Sequence, residues 1–192
     1  FDDAVRNFLT IAAPLLKERR LPATVYAVTD WADRRGETDA APTWSLVDDD
    51  VVCSWAEMQR LAREGIEFGS HSRTHPDMTT LTPEDSEREL RESLATMREK
   101  IGDGAASFAY PKGRYSPLIA NQARRLGYTC ALTLEPGDND MSTDLFMLRR
   151  TLISGSDDIA GLAARVAGVA TLLRRTKALV RPGGRTPSSV RR

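Results

Sequence analysis

His71 and His75 are the chain's only two histidines, and they stand four residues apart in "GSHSRTHPD". If the backbone turns once between them, both imidazoles point to one side. Two neutral imidazoles in that arrangement supply most of a divalent metal site, which then needs a carboxylate. Taken alone, the pair reads more readily as two satisfied surface or core histidines. The acid pair Asp2 and Asp3 offers what is missing. One carboxylate could complete a two-histidine, one-carboxylate site with room for water, and its neighbour could act as general base on that water. By itself, a pair of aspartates at a helix start is an N-cap. A third stretch, "FAYPKGRYS" over 108–116, has Pro111 and Gly113 shaping a turn. Backbone N–H groups there, such as that of Lys112, could face a developing oxyanion. Its plain reading is a turn before a helix capped by Ser116.

The elements around these stretches explain why they belong together. Short apolar runs, "ATVYAV" (23–28), "IEFGS" (66–70), "ASFAY" (106–110), "YTCALTL" (128–134) and "MLRRTLI" (147–153), read as buried strands. Between them lie helical stripes over 4–20, 55–63, 83–101 and 116–126, with a last helix over 158–180. Ser54 and Thr82 are N-caps, Pro83 opens a helix, and Gly65, Gly102 and Gly127 end helices. On the helix from Pro83, Leu90, Leu94, Met97 and Ile101 form the apolar face, with charges on the other. Residues 31–50 and 135–144 read as polar loops. Strands alternating with helices predict an α/β fold with a parallel sheet, either open and doubly wound or closed as a barrel. In both, functional residues gather just past the strands' C-terminal ends, where the histidines and the Lys112 turn fall.

Composition narrows the classes. The 192 residues suit one domain, and 41% hydrophobic with 28% charged content is that of an ordinary globular chain. No apolar run approaches the ~20 residues that span a bilayer. The start at Phe1, without an initiator methionine, reads as a cut inside an element, with any targeting segment upstream. Cys53 and Cys130 form no disulfide framework and read as small buried thiols. Eight basic residues follow Asp158 with no acid among them, leaving 19 basic against 27 acidic residues before it. An acidic body is a poor nucleic-acid binder. The basic C-terminal region could touch an anionic membrane surface, or simply be the solvated edge of a helix packed on the barrel. Its last residues, 181–192, are expected to be a disordered basic tail.

Taken in order, "FDD", "HSRTH" and "FAYPKGRYS" resemble the motifs of the polysaccharide deacetylases, the carbohydrate esterases that share the nodulation-factor deacetylase domain. "ATVYAV", "SWAEMQRLAREGIEFGSHSRTHPDM" and "LRRTLI" are similar too, so the resemblance runs from residue 1 to about 158. It implies a distorted (β/α) barrel of about seven parallel strands, here with the first strand truncated, in a catalytic domain over 1–180. It implies metal-dependent removal of acetyl groups, N-acetyl in preference to O-acetyl, from an acetylated polysaccharide or glycoconjugate. Asp2 would be the general base. Asp3, His71 and His75 would hold the metal, zinc foremost, with cobalt or nickel as substitutes. The backbone of Lys112 would take the oxyanion-hole place, and Arg150, in the "LRR" of a late strand, would orient Asp2. The family's setting favours the cell envelope or the extracellular space, with the cytoplasm left open. Three positions depart from the pattern. Ala4 stands where glycine is usual, Ala109 where an arginine often begins the third motif, and the late histidine that many members use as general acid has no counterpart. Asp144 is a stand-in for that acid only by position. The departures keep open a second reading, a non-catalytic carbohydrate-binding protein with a degenerate site.

Overall fold

Four of the five apolar runs pair as strands in the computed structural model, which describes residues 1–33, 52–153 and 155–168. Strands β1 (Thr24–Ala27), β2 (Glu67–Ser70), β3 (Ser107–Ala109) and β4 (Cys130–Leu132) form one parallel sheet in chain order. Two single parallel bridges extend it, Asp2 to Tyr26 at one edge and Leu132 to Leu148 at the other. Six parallel positions therefore follow one another in sequence order. A doubly wound sheet reverses direction at a switch point, and this one does not. The order is that of a barrel wound in one sense.

The sheet is also curled. Five interstrand steps would separate its edges by about 24 Å if it were flat. Yet Arg150, two residues past the bridge at Leu148, bonds Asp2 at 2.6 Å. Backbone pairing that would close the barrel is not among the described residues.

Helices fill the crossovers: α1 (Ala13–Glu18), α2 (Thr29–Asp33), α3 (Trp55–Arg63), α4 (Pro83–Lys100), α5 (Pro117–Leu126) and α6 (Ile159–Val166). The caps read from the sequence are present. Ser54 and Glu57 form a reciprocal capping box on α3, Thr82 accepts from Asp85 N, and Gly127 ends α5 at φ 93°. One apolar cluster joins Phe8, Val25, Met58, Leu61, Phe68 and Met97. A second joins Leu90, Leu94, Phe108, Ile119, Ala123 and Tyr128. No helix among the described residues is long and apolar enough to cross a membrane.

Four expectations change. The helix expected over 4–20 begins as a π-helical turn, Phe8–Ala12, before α1. Part of the expected loop over 31–50 is helical, as α2, and the rest lies outside the described residues. "MLRRTLI" is not a strand beyond its single bridge. The Asn139 side chain takes both backbone groups of Arg149, at 2.9 and 2.8 Å, and Arg150 N turns to Glu135 O at 3.1 Å. The Asn139 bonds occupy the Arg149 backbone groups, so the ladder does not extend past Leu148. On α6, Ile159 and Val166 are 87% and 77% exposed, so they do not pack on the sheet. The continuation of that helix to 180, the basic tail 181–192 and the membrane contact expected of them lie outside the described residues.

Gly69, in β2, has no room for a side chain. A Cβ there would meet Ser107 Oγ at 2.5 Å and the Tyr26 ring at 2.6 Å. Replacing Gly69 with Ala should destabilise the fold by about 1–3 kcal/mol, read as a lower midpoint in urea unfolding.

Candidate active site

β2 delivers the histidines. His71 N still bonds Ala27 O at 2.8 Å, extending the β1–β2 ladder by one residue. The chain then leaves the sheet without making a helical turn. Ser72 lies at φ 67° and His75 at φ 62°, both left-handed. Ser70 Oγ accepts from Ser72 N at 3.2 Å, and Ser72 Oγ accepts from His75 N at 2.9 Å. This looped path, rather than helical spacing, brings the two rings to 4.9 Å between centroids.

The His71 ring is oriented by β3. Its Nδ1 lies 2.7 Å from Ala109 O. A carbonyl only accepts, so Nδ1 carries the proton and Nε2 presents a lone pair. That Nε2 faces Asp3 Oδ1 at 3.8 Å, and His75 Nε2 faces the same oxygen at 3.6 Å. The three ligand atoms all lie within 4.8 Å of one another. These separations are too long for hydrogen bonds and suit atoms sharing a cation at about 2.0–2.2 Å from each. Asp3 Oδ1 is buried and has no hydrogen-bond partner among the described residues. A buried carboxylate oxygen without a donor calls for an explanation, and a metal held with two imidazoles supplies one. The residues fit such an ion.

Asp2 lies between His71 and Arg150, its Oδ2 3.9 Å from His71 Nε2. Arg150 Nη1 and Nη2 donate to its two oxygens at 2.6 and 2.7 Å, while Arg150 Nε donates to Thr133 O at 2.9 Å. The late segment therefore brings its arginine to the first acid, as the "LRR" resemblance implies.

The two neighbouring carboxylates are driven apart in proton affinity. Burial raises both. At Asp2 burial is the largest single influence, but the Arg150 hydrogen bonds and the charges of His71, Arg150 and the N-terminus together outweigh it and hold the group below its usual range. At Asp3 burial and the Asp2 charge win over Arg150 and push it up to about 6. Burial drives His71 down to about 4 against the pull of Asp2, and both burial and the Lys112 charge lower His75. Both imidazoles are thus neutral at physiological pH, the state in which they ligate metal.

Lys112 sits in the turn Pro111–Gly113 at φ 58°. Gly113 N returns to Tyr110 O at 2.8 Å, whereas Lys112 N donates no hydrogen bond among the described residues. Asp144 is not brought to the site. Its oxygens accept from Arg124 at 2.8 and 3.0 Å, and it caps Phe146 N. Two further residues belong to the site's walls. Trp31, on α2, has its ring 5.4 Å from that of His75. Glu89, on α4, bonds the chain between the histidines. Trp31 follows β1 closely and could have been found from the rule that strand ends carry the site.

Residues 1–131 match the family model for polysaccharide deacetylase. The chain belongs to the polysaccharide deacetylase family. It is 24% identical over 154 residues to YxkH of Bacillus subtilis (strain 168), whose name places it among polysaccharide deacetylases; the match covers 80% of this chain and 50% of that protein. It is 23% identical to the poly-β-1,6-N-acetyl-D-glucosamine N-deacetylase of Escherichia coli (strain K12), covering 88% of this chain and 29% of that one. The chain thus spans half or less of the curated relatives it matches. Among solved structures, the Streptococcus pyogenes deacetylase PplD aligns with a TM-score of 0.74 at 24% identity, over 86% of this chain and 67% of that chain. The BpsB deacetylase domain from Bordetella bronchiseptica aligns at 0.69 and 24%, over 80% and 69%. These likenesses establish the parallel α/β fold of the family, whose members are carbohydrate deacetylases and so hydrolases.

The orphaned carboxylate has a measurable consequence. The folded protein holds the Asp3 proton more tightly than an unfolded chain does, so ionisation withdraws stability as pH rises from 3.8 to about 6. Above that the penalty is constant. Asp3→Asn should therefore stabilise the metal-free protein by up to about 3 kcal/mol at pH 7.5. The gain should shrink toward zero by pH 4, as read from urea unfolding at each pH.

Proposed function

We propose that this chain is a metal-dependent hydrolase that removes acetyl groups, N-acetyl in preference to O-acetyl, from a polysaccharide or glycoconjugate. The observation that carries the reading is the convergence of Asp3, His71 and His75 around an unpartnered carboxylate oxygen, beside an aspartate held by Arg150. Asp3 Oδ1 and the two Nε2 atoms would hold the ion, with zinc the first choice and cobalt or nickel as substitutes. Such an ion supplies Lewis acidity, lowering the pKa of water toward ~7 and polarising an acyl carbonyl.

The chain's own residues do the rest. Asp2, ionised throughout the neutral range, accepts the proton of the attacking water. Arg150 fixes its carboxylate and keeps it charged. The Lys112 N–H, uncommitted among the described residues, donates to the oxyanion that forms on the acetyl group. Ala109 O keeps His71 in one tautomer throughout. The Trp31 ring walls the site beside His75. Setting and partners follow the same reading: an acetylated glycan as substrate, met in the cell envelope or outside the cell.

Untagged protein should carry about one zinc, cobalt or nickel per chain by mass spectrometry, and His75→Ala should lose it. With N-acetylglucosamine oligomers, acetate release should fall by about 10²–10⁴-fold in Asp2→Asn while the metal stays bound. Stoichiometric metal in the wild type without acetate release from any acetylated oligosaccharide would favour the carbohydrate-binding reading instead.

Arg150 makes a separate prediction. Its removal leaves burial as the dominant influence on Asp2, so the proton is held more tightly. The acid limb of kcat/KM in Arg150→Gln should therefore move to higher pH than in the wild type. An unmoved limb would mean that Asp2 is not the group titrating there.

A further inference from the structure

The three residues between the histidines include no glycine, yet the loop is left-handed at both Ser72 and His75. Such conformations persist only where the surroundings hold them. Ser70 and Ser72 fix two of the loop's N–H groups from within it. The others are held from outside, by a helix that read from the sequence as carrying its charges on a solvated face.

We propose that Glu89 is a positioning residue for the two metal-ligating histidines, its buried side-chain oxygens accepting the hydrogen bonds that hold the backbone nest of Arg73 and Thr74. Glu89 is only 9% exposed. Its Oε2 accepts from Arg73 N at 3.0 Å and from Thr74 N at 2.9 Å, and its Oε1 accepts from Thr74 Oγ1 at 2.8 Å. Successive N–H groups converging on one oxygen form the concavity in which backbones bind anions. The bonds are charge-assisted on the acceptor side, which makes them stronger than neutral ones.

The Arg73 guanidinium does not hold the carboxylate. It points away, to Asp30 at 3.0 Å and Glu92 at 3.0 Å. Those two bonds, together with Asp30 N to Arg73 O at 3.0 Å, moor the loop's outer edge to α2 and α4. The Glu89 carboxylate moors its inner side. With α4 capped and packed through Leu90 and Leu94, the anchor is rigid, and the loop has one path from His71 to His75. A partner that fixes ligand geometry in this way typically governs metal affinity by about 10–100-fold.

The proposal rests on the metal reading above, and its test separates the two. Zinc affinity is measured by competition with a chromophoric chelator, and amide hydrogen exchange is followed in the metal-free protein. Glu89→Ala should bind zinc about 10–100-fold more weakly, with unchanged far-ultraviolet circular dichroism and faster exchange at the Arg73 and Thr74 amides. Glu89→Gln should recover affinity to within about threefold of wild type. A glutamine oxygen can accept both N–H groups while its amide donates to Thr74 Oγ1, which a merely acidic requirement would not tolerate. Wild-type affinity in Glu89→Ala, or a Glu89→Gln as weak as Glu89→Ala, would overturn the proposal. If Glu89→Ala does not fold, Thr74→Val decides: it removes one of the three bonds, and undiminished zinc affinity would count against the clamp. Wild-type protein that takes up no zinc, cobalt or nickel would instead sink the metal reading itself.

Discussion

The bond between Arg150 and Asp2 joins residues 148 apart in sequence and sets two properties of the molecule at once. It ties the last parallel position of the sheet to the first, so the sheet must curl and its strand ends must face a common centre. It also divides the labour of two adjacent carboxylates. A guanidinium fork presents its donors in a fixed plane, and here Nε is committed to Thr133 O at the end of β4 while both terminal nitrogens go to Asp2. Asp2 is therefore held charged. Asp3, one residue on and turned toward the histidines, receives Asp2's repulsion with little of Arg150's help. Acids whose environments push their proton affinities apart are the usual mark of separate chemical roles.

Strain collects in the same place. Of the six described non-glycine residues with left-handed φ, five are Asp3, Ala4, Ser72, His75 and Lys112; Arg20 is the sixth. Each costs about 1–2 kcal/mol relative to an ordinary conformation. At Ala4, where glycine is usual in the family, the methyl group is buried and the residue's carbonyl accepts from Cys53 N at 2.8 Å, which helps to hold the turn. Alanine has the smallest side chain that could stand there. Strand ends deliver these residues, and side chains from neighbouring elements hold them. The geometry of the candidate site is thus a property of the whole curled sheet rather than of any one loop.

Much of this was legible because strand ends are legible. "IEFGS" and "ASFAY" are short, apolar and bounded, so the residues just past them were marked as site residues before any geometry was known. The histidines and the Lys112 turn were marked in that way, and the acid pair was marked because two imidazoles still need a carboxylate. Arg150 was found only through resemblance, since nothing in "MLRRTLI" says which of two adjacent arginines turns inward. The same run was read as a strand because it is short and largely apolar. Composition cannot foresee that Asn139 would take the Arg149 backbone. Glu89 was hidden for a related reason. In "EDSERELRES" it is one of four glutamates among charged neighbours, and only the fold shows which of them is buried.

The absence of a third histidine bears on how the proposed reaction would end. The leaving amine needs a proton, and Asp144, a stand-in only by position, is committed to Arg124. Asp2 is then the natural source. A base held low by Arg150 keeps an acquired proton only weakly. That makes it a modest base, because proton-transfer efficiency falls as the catalytic pKa drops below the working pH. It also makes it a good donor, because the carboxyl returns to the charged state that Arg150 stabilises. One carboxylate taking the proton from water and passing it to nitrogen balances the reaction without another acid.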